Sequence, residues 1–176
     1  MSAIYIVTTG GTIEKTYSEQ NGSVANVDNK LERYLSLLRL SETEPFVIPL
    51  LNKDSLDMTD RDRRMILETV KGLLTEVAPI VITHGTDTMI EVGMYLKRYL
   101  PHVPVPIVLT GAMTPLGFEG SDGLQNLTES LFAVRLLPAG IYIVMHNRAF
   151  PVDRVRKDRE KSRFVWCDPP WTEGIQ

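Results

Sequence analysis

Apolar residues in this 176-residue chain form five short continuous runs, separated by stretches in which apolar residues recur every three or four positions. Short aliphatic runs are typical of buried strands, whereas the longer spacing is typical of helices with one apolar face. The predicted strands are 4–7, 46–48, 80–82, 107–109 and 141–145. The predicted helices are 31–38, a stretch from a Thr59–Asp62 capping box to Val77, 89–100 and 124–134.

Strands and helices alternate along the chain, and this order predicts an α/β fold. We expect a doubly wound, mostly parallel sheet with helices on both faces. Right-handed crossovers then bring the carboxyl ends of the parallel strands to one edge, which is where ligands bind in such folds. We therefore expect an active site at the strand carboxyl ends, within a single domain spanning residues 1–176.

Two polar segments interrupt this pattern. Residues 14–29 follow the first strand, lack periodicity and are long for a plain connection, so we interpret them as a lid loop. Residues 146–176 form a polar C-terminal segment, in which 164–166 are expected to form a short strand.

Composition and charge argue against nucleic-acid and membrane partners. Charged residues make up 23% of the chain, hydrophobic residues 43%, and the net charge is −3. The basic run from Arg154 to Arg163 is interrupted by Asp158 and Glu160 and holds no aromatic residue, so nucleic acid is not an expected partner. No apolar run approaches the ~18 residues of a membrane-spanning helix, and no signal-peptide pattern precedes the first strand. We expect a cytoplasmic protein without a membrane partner.

A disulfide within the chain is excluded, because Cys167 is the only cysteine. No group of His, Cys and Asp residues has the spacing of metal ligands, so no metal or cofactor is expected.

Three hydroxyl-rich turns follow predicted strands, at residues 8–12, 83–88 and 110–114. None of them has the Gly-x-x-x-x-Gly-Lys-[Ser/Thr] pattern of a P-loop, and no Gly-x-Gly-x-x-Gly follows the first strand. The sequence therefore disfavours a nucleotide site.

A hydroxyl nucleophile suits these turns better. Thr12 and Thr86 lie at strand ends, and Asp87 adjoins Thr86. A threonine hydroxyl needs a base, which a lysine oriented by a carboxylate can supply, and turn N–H groups can stabilise an oxyanion. This combination suits acyl transfer such as amide hydrolysis. The patterns alone leave simpler explanations open: a tight turn at Gly10–Thr12, and a helix cap formed by Asp87 and Thr88.

Two of these turns carry motifs of a known family. Thr9–Ile13 and Thr83–Thr88 resemble the two signature motifs of the bacterial-type L-asparaginases. The resemblance extends over essentially the whole chain, through Asp54–Met58, Leu109–Met113 and Asp122–Asn126. The chain is similar to the short-chain members, which consist of the first domain of the longer enzymes.

The resemblance implies roles for individual residues. Thr12 is similar to the nucleophile, and Thr86, Asp87 and Lys157 to the group that activates a water or the nucleophile. Tyr17 is similar to the lid tyrosine that assists Thr12. The resemblance also implies a substrate-binding set, in which Ser55 and Asp87 contact the α-carboxylate and the α-amine: Gly11, Asp54, Ser55, Thr86, Asp87 and Ala112. Leu56 stands where many members carry Gln, so that contact would be missing.

The implied function is L-asparagine amidohydrolase, releasing L-aspartate and ammonia through an acyl-enzyme, with some glutaminase activity. The resemblance implies a small-molecule substrate, L-asparagine, no cofactor, and a homo-oligomer, either dimer or tetramer. The alternative is an asparaginase-like domain that binds aspartate or a related amino acid without catalysis.

Overall fold

A computed structural model of the chain describes residues 2–20, 22–26 and 30–168. The strands are β1 Ser2–Gly10, β2 Thr16–Ser18, β3 Ser23–Ala25, β4 Thr43–Lys53, β5 Ile80–Thr83, β6 Pro106–Thr110, β7 Gly140–Met145, β8 Arg148–Pro151, β9 Val155–Asp158 and β10 Arg163–Trp166. The helices are α1 Leu31–Leu35, α2 Asp60–Leu73, α3 Met89–Tyr99 and α4 Gly123–Ala133. Short 3₁₀ turns cover Thr12–Glu14, Ser55–Asp57, Leu74–Glu76 and Val152–Arg154.

The main sheet has six strands in the order β4-β1-β5-β6-β7-β8. The first five are mutually parallel, and β8 pairs antiparallel with β7 at the edge. The chain passes from β1 out to β4 and then back across β1 to β5. The strand order therefore reverses at the β1–β5 boundary, and the crevice outside the carboxyl ends of these two strands is where such sheets bind ligands.

Side chains alternate between two apolar layers, one on each face of the sheet. Val7, Ile80 and Ile82 pack with buried residues of α2 and α3. Ile6 and Val81 point to the opposite face, where α1 and α4 contribute their apolar residues. This alternation confirms the predicted doubly wound α/β fold with helices on both faces.

The start of α2 follows its local sequence. Thr59 is the N-cap, its hydroxyl accepts from the Asp62 N–H, and the Asp62 carboxylate accepts from the Thr59 N–H. This reciprocal pair is the predicted capping box. Asp62 also accepts from Lys53 at the end of β4, and this contact fixes α2 to the edge of the sheet on which Ser55 lies.

Two segments differ from the pattern that the sequence predicts. The described part of the predicted lid, 14–29, contains the hairpin β2–β3 and is not a plain loop. The described part of the polar segment, 146–176, contains β8 and β9 as well as the expected strand at β10. Residues 21, 27–29 and 169–176 of these two predicted segments lie outside the described residues. In the described ranges, no helix is long and apolar enough to cross a bilayer.

Candidate active site

The turn after β1 depends on two glycines with left-handed backbone angles. Gly10 and Gly11 have φ values of 95° and 78°, which other residues adopt only at a cost. A methyl group on Gly11 would lie 2.3 Å from the backbone nitrogen of Gly85. The main chain after β1 therefore packs directly against the main chain after β5, and the next residues along each turn are Thr12 and Thr86.

Two further strand ends join this contact. A methyl group on Gly85 would lie 2.5 Å from the Ser55 side chain, and one on Gly111 would lie 2.3 Å from the carbonyl oxygen of His84. Gly11 also donates its N–H to the Lys53 carbonyl at 2.7 Å. The structure thus brings the turns after β1, β4, β5 and β6 together at one edge.

Lys157 reaches this edge from β9. Its Nζ donates to Thr86 Oγ1 at 2.8 Å and to Asp87 Oδ1 at 2.9 Å. The Lys157 side chain is only 14% exposed, so its ammonium is largely removed from water and held by these two acceptors. Three of the predicted catalytic residues therefore form one hydrogen-bonded group, in which Lys157 joins the adjacent Thr86 and Asp87 from 71 and 70 positions further along the chain.

A second cation contacts the same carboxylate. Arg159 Nη1 donates to Asp87 Oδ1 at 2.7 Å. The hydrogen bond from Lys157, followed in importance by the charges of Lys157 and Arg159, lowers the pKa of Asp87 despite its partial burial. Asp87 is therefore an anion at neutral pH.

The simpler explanation for Asp87 and Thr88, a helix cap, does not fit the contacts. Thr88 is the N-cap of α3, but its side chain makes no capping hydrogen bond. The Thr88 hydroxyl donates instead to the carbonyl oxygen of Ser55 at 3.0 Å. Asp87 contacts the two cations, and Thr88 ties the turn after β5 to the turn after β4.

Thr12 opens the 3₁₀ turn that follows Gly11 and is half-buried. Its hydroxyl makes no hydrogen bond to the part of the chain that the structure describes. Tyr17 lies on β2, opposite Val24, and is 54% exposed; within the described residues its hydroxyl also has no hydrogen-bond partner. The structure thus places Tyr17 on a hairpin beside the site without a hydrogen bond to Thr12. Its assisting role stays a prediction.

The two predicted substrate-binding residues in the turn after β4 have different environments. Ser55 is 2% exposed and faces Gly85. Asp54 accepts from Lys15 at 2.5 Å and from the Leu56 N–H at 3.1 Å, and the hydrogen bond from Lys15 lowers the pKa of Asp54. These contacts link the lid to the turn and give Asp54 a positioning role, while its contact with substrate stays a prediction.

The turn that carries Ala112 is held by side chains from α4. Asp122 accepts from the Met113 and Thr114 N–H groups at 2.9–3.0 Å, and Asn126 donates to the Gly111 carbonyl at 3.0 Å. Burial raises the pKa of Asp122, but these N–H donors and His146, at 2.6 Å, outweigh burial and lower it overall. The buried Ala112 is thereby fixed at the site edge.

Two titratable groups are buried beside the turns without adequate partners. Glu14 is 1% exposed, and its carboxylate oxygens have no well-aligned donor among the described residues. Burial raises the pKa of Glu14 to about 7, against a smaller opposing effect of Gly10 and Thr8. Burial also lowers the pKa of His84 to about 4, so His84 is neutral.

Several side chains at the site are not predicted by the sequence patterns. Arg159 lies in a mixed-charge run that resembles a solvated surface. No alternation signal reaches Arg159, because it lies in the turn after β9, beyond the last residue of that strand. Lys15 and Asn26, whose amide donates to the Gly11 carbonyl at 2.8 Å, have no signal beyond their place in the lid. The described residues contain no cluster of three or more His, Cys, Asp or Glu side chains that could hold a metal ion.

Comparison with known proteins agrees with this geometry. The family described as "Asparaginase, N-terminal" matches residues 3–165. L-asparaginase 1 of Escherichia coli K12 is 34% identical over 175 residues, covering 95% of this chain and 51% of that protein. The 60 kDa lysophospholipase of Mus musculus is 32% identical over 122 residues, covering 66% of this chain and 21% of that protein.

A solved structure extends the likeness to the fold. The thermostable L-asparaginase from Thermococcus kodakarensis superposes with a TM-score of 0.84 at 28% identity, covering 98% of this chain and 54% of that one. The chain spans about half the length of the L-asparaginases that it matches. With a family match over nearly all of its residues, the chain belongs to the asparaginase family, and it corresponds to the N-terminal domain of that family.

Proposed function

We propose that this chain is an L-asparagine amidohydrolase with Thr12 as its nucleophile. The observation that carries the proposal is the position of Lys157, whose Nζ contacts Thr86 Oγ1 and Asp87 Oδ1 at 2.8 and 2.9 Å. A largely covered lysine held between a hydroxyl and a carboxylate has the arrangement that a proton-transfer group needs. The two residues that Lys157 contacts belong to the turn after β5, which packs against the turn that carries Thr12.

In the first half of the reaction, Thr12 Oγ attacks the side-chain carboxamide carbon. The proton acceptor is Lys157 Nζ as the unprotonated amine, which receives the hydroxyl proton by way of Thr86 Oγ1 and returns it to the leaving nitrogen, so that the C–N bond breaks and ammonia departs. An ester between Thr12 and the aspartyl group remains. The Gly11 N–H is already bonded to Lys53, so the oxyanion is stabilised by other turn N–H groups.

In the second half, a water molecule attacks the ester carbon. The same group takes one proton from the water, the C–O bond to Thr12 breaks, and Thr12 recovers its proton. The product is L-aspartate. Because both halves need a proton to be taken and returned at one place, a single Thr86–Asp87–Lys157 group suffices for the two steps.

Substrate orientation follows from the same turns. Asp87 is the anion that would pair with an α-ammonium group, and the buried Ser55 offers a hydroxyl to the α-carboxylate. Gly11, whose main chain is closely approached, and the buried Ala112 would lie around the amide. Activity with L-glutamine belongs to the same proposal, as does assembly into a homo-oligomer.

The test is ammonia release from L-asparagine and L-glutamine by the wild type, Thr12→Ala and Lys157→Ala. Loss of the nucleophile is expected to lower kcat at least about a thousandfold, and loss of the lysine about a hundredfold or more. Matched controls are Thr128→Ala, an exposed helix position, and Lys161→Ala in the exposed turn after β9. Both controls are expected to keep wild-type rates.

Competing functions are distinguished by the ammonia assay together with a binding measurement and a lysophospholipid assay. Full activity in Thr12→Ala would remove Thr12 as the nucleophile. A wild type that binds L-aspartate in calorimetry but hydrolyses neither amide would be a non-catalytic binding domain. Fatty-acid release from a lysophospholipid, without ammonia release from either amide, would indicate a lysophospholipase activity instead.

A further inference from the structure

Arg159 and Lys157 donate to the same oxygen of Asp87. The distances to Oδ1 are 2.7 Å from Arg159 Nη1 and 2.9 Å from Lys157 Nζ. Arg159 projects from the turn after β9, and its side chain is 68% exposed, whereas that of Lys157 is 14% exposed. Lys157 is therefore a largely covered part of the site, and Arg159 contacts Asp87 from the solvent side.

A substrate ammonium would meet crowded positive charge at this carboxylate. Oδ2 of Asp87 has no hydrogen-bond partner among the described residues, so an ammonium could reach it only as the third cation on one carboxylate. Like charges at such distances repel, more strongly in a partly dry site than in water. Arg159 thus weakens the attraction of Asp87 for a positively charged substrate group.

The other charges around the site also disfavour a positively charged substrate group. Lys15 and Asp54 form a neutral pair, while Asp87 is shared by two cations, so the group of Asp87, Lys157 and Arg159 carries one net positive charge. Only one N–H of the Arg159 guanidinium is accounted for by Asp87, and within the described residues its other donors are not engaged. A guanidinium in this state binds a carboxylate readily.

We propose that Arg159 sets substrate specificity by lowering the preference of the site for L-asparagine relative to ω-amides that carry a carboxylate but no α-ammonium. The simplest such amide is succinamate, the half-amide of succinate, which has the carboxylate and carboxamide of asparagine without its amino group. This inference rests on the proposed amidohydrolase activity and adds to it a substrate class.

The experiment compares kcat and KM for L-asparagine and succinamate in the wild type and Arg159→Gln. Removal of the guanidinium is expected to raise the ratio of kcat/KM for L-asparagine to that for succinamate at least about fivefold. The change should lie in KM, with kcat little altered, because Arg159 acts on binding. Arg159→Lys, which keeps the charge, is expected to stay near the wild-type ratio.

Arg156→Gln is the matched control, because Arg156 is an exposed arginine of β9, the strand just before Arg159, with no ion pair in the described part of the chain. It is expected to leave both substrates unaffected. Equal losses for both substrates in Arg159→Gln, or an unchanged ratio, would overturn the proposal while the amidohydrolase activity stands. A wild type inactive on both amides would instead overturn the activity. Calorimetry with L-aspartate and succinate gives the binding preference independently of turnover.

Discussion

Gly85 joins two turns of the site at the scale of a single residue. Its α-carbon faces Ser55 so closely that a methyl group there would lie 2.5 Å from both Ser55 Cβ and Oγ. Ser55 is buried, and its carbonyl oxygen accepts from Thr88. Neither residue has room to move, so the Ser55 hydroxyl can keep this position only because residue 85 is a glycine, without a β-carbon.

Gly85→Ala is therefore expected to displace Ser55 and to raise KM for L-asparagine in the proposed reaction. Forcing one methyl group into a packed contact should also lower the free energy of unfolding by about 1–3 kcal/mol. Steady-state kinetics and urea unfolding measure the two effects.

Gly72→Ala is the matched control. Gly72 lies in α2, and a methyl group there would meet nothing within 4 Å. Alanine should stabilise this helix by about 0.5–1 kcal/mol and leave KM unchanged. If Gly85→Ala keeps wild-type KM and stability, the close approach of the two turns is not what positions Ser55.

At the scale of elements, α2 depends on its capping box. Thr59 and Asp62 satisfy each other's backbone N–H groups, and the Thr59 N–H, then Lys53, lowers the pKa of Asp62 to about 2. Thr59→Ala removes the hydroxyl that accepts from the Asp62 N–H, so the free energy of unfolding should fall by about 1 kcal/mol. Chemical denaturation at neutral pH measures this change.

Thr59→Ser restores the hydroxyl and should recover most of the loss. A serine variant as unstable as the alanine variant would show that the threonine methyl group, and not the cap, carries the effect.

The same box shows why parts of the fold follow from the sequence. A cap joins residues three positions apart, and helical periodicity repeats every turn, so α2, α3 and α4 are predicted close to their observed bounds. The parallel strands β1, β5, β6 and β7 are predicted because burial makes them largely apolar, whereas β4 is a half-exposed edge strand of which only 46–48 is predicted. Gly11, Thr86 and Asp87 fall at one edge as expected, because this edge follows from the order of the elements.

Other elements lack such local signals. β2 and β3 are three residues each and largely exposed, so no apolar alternation marks them. The turn before β8 uses His146 and Asn147 with positive φ, where a glycine would have been the usual signal. The contact of Arg159 with Asp87 joins positions 72 residues apart, and only the folded hairpin β9–β10 reveals it.

At the scale of the whole molecule, two buried groups should shape the dependence of stability on pH. Glu14 has a pKa of about 7 in the folded chain against an ordinary value of 4.5, so the native state keeps a proton that the unfolded state releases. Stability from this group falls as pH rises from 4.5 to 7. His84 has a pKa of about 4 against 6.5, so the unfolded state takes up a proton that the native state refuses. Stability from His84 falls as pH drops from 6.5 to 4.

Between pH 4.5 and 6.5 the two effects oppose each other, and each amounts to about 3 kcal/mol at its full extent. The wild type should therefore have a nearly flat free energy of unfolding across this window. Glu14→Gln leaves the contribution of His84 alone, so its stability should rise with pH there and exceed that of the wild type at pH 8. Urea unfolding at half-unit steps of pH measures both curves. Glu76→Gln, on an exposed turn, is the control and should show the same dependence of unfolding free energy on pH as the wild type. If the Glu14→Gln curve runs parallel to the wild-type curve, Glu14 is ionised in the folded chain and the prediction is wrong.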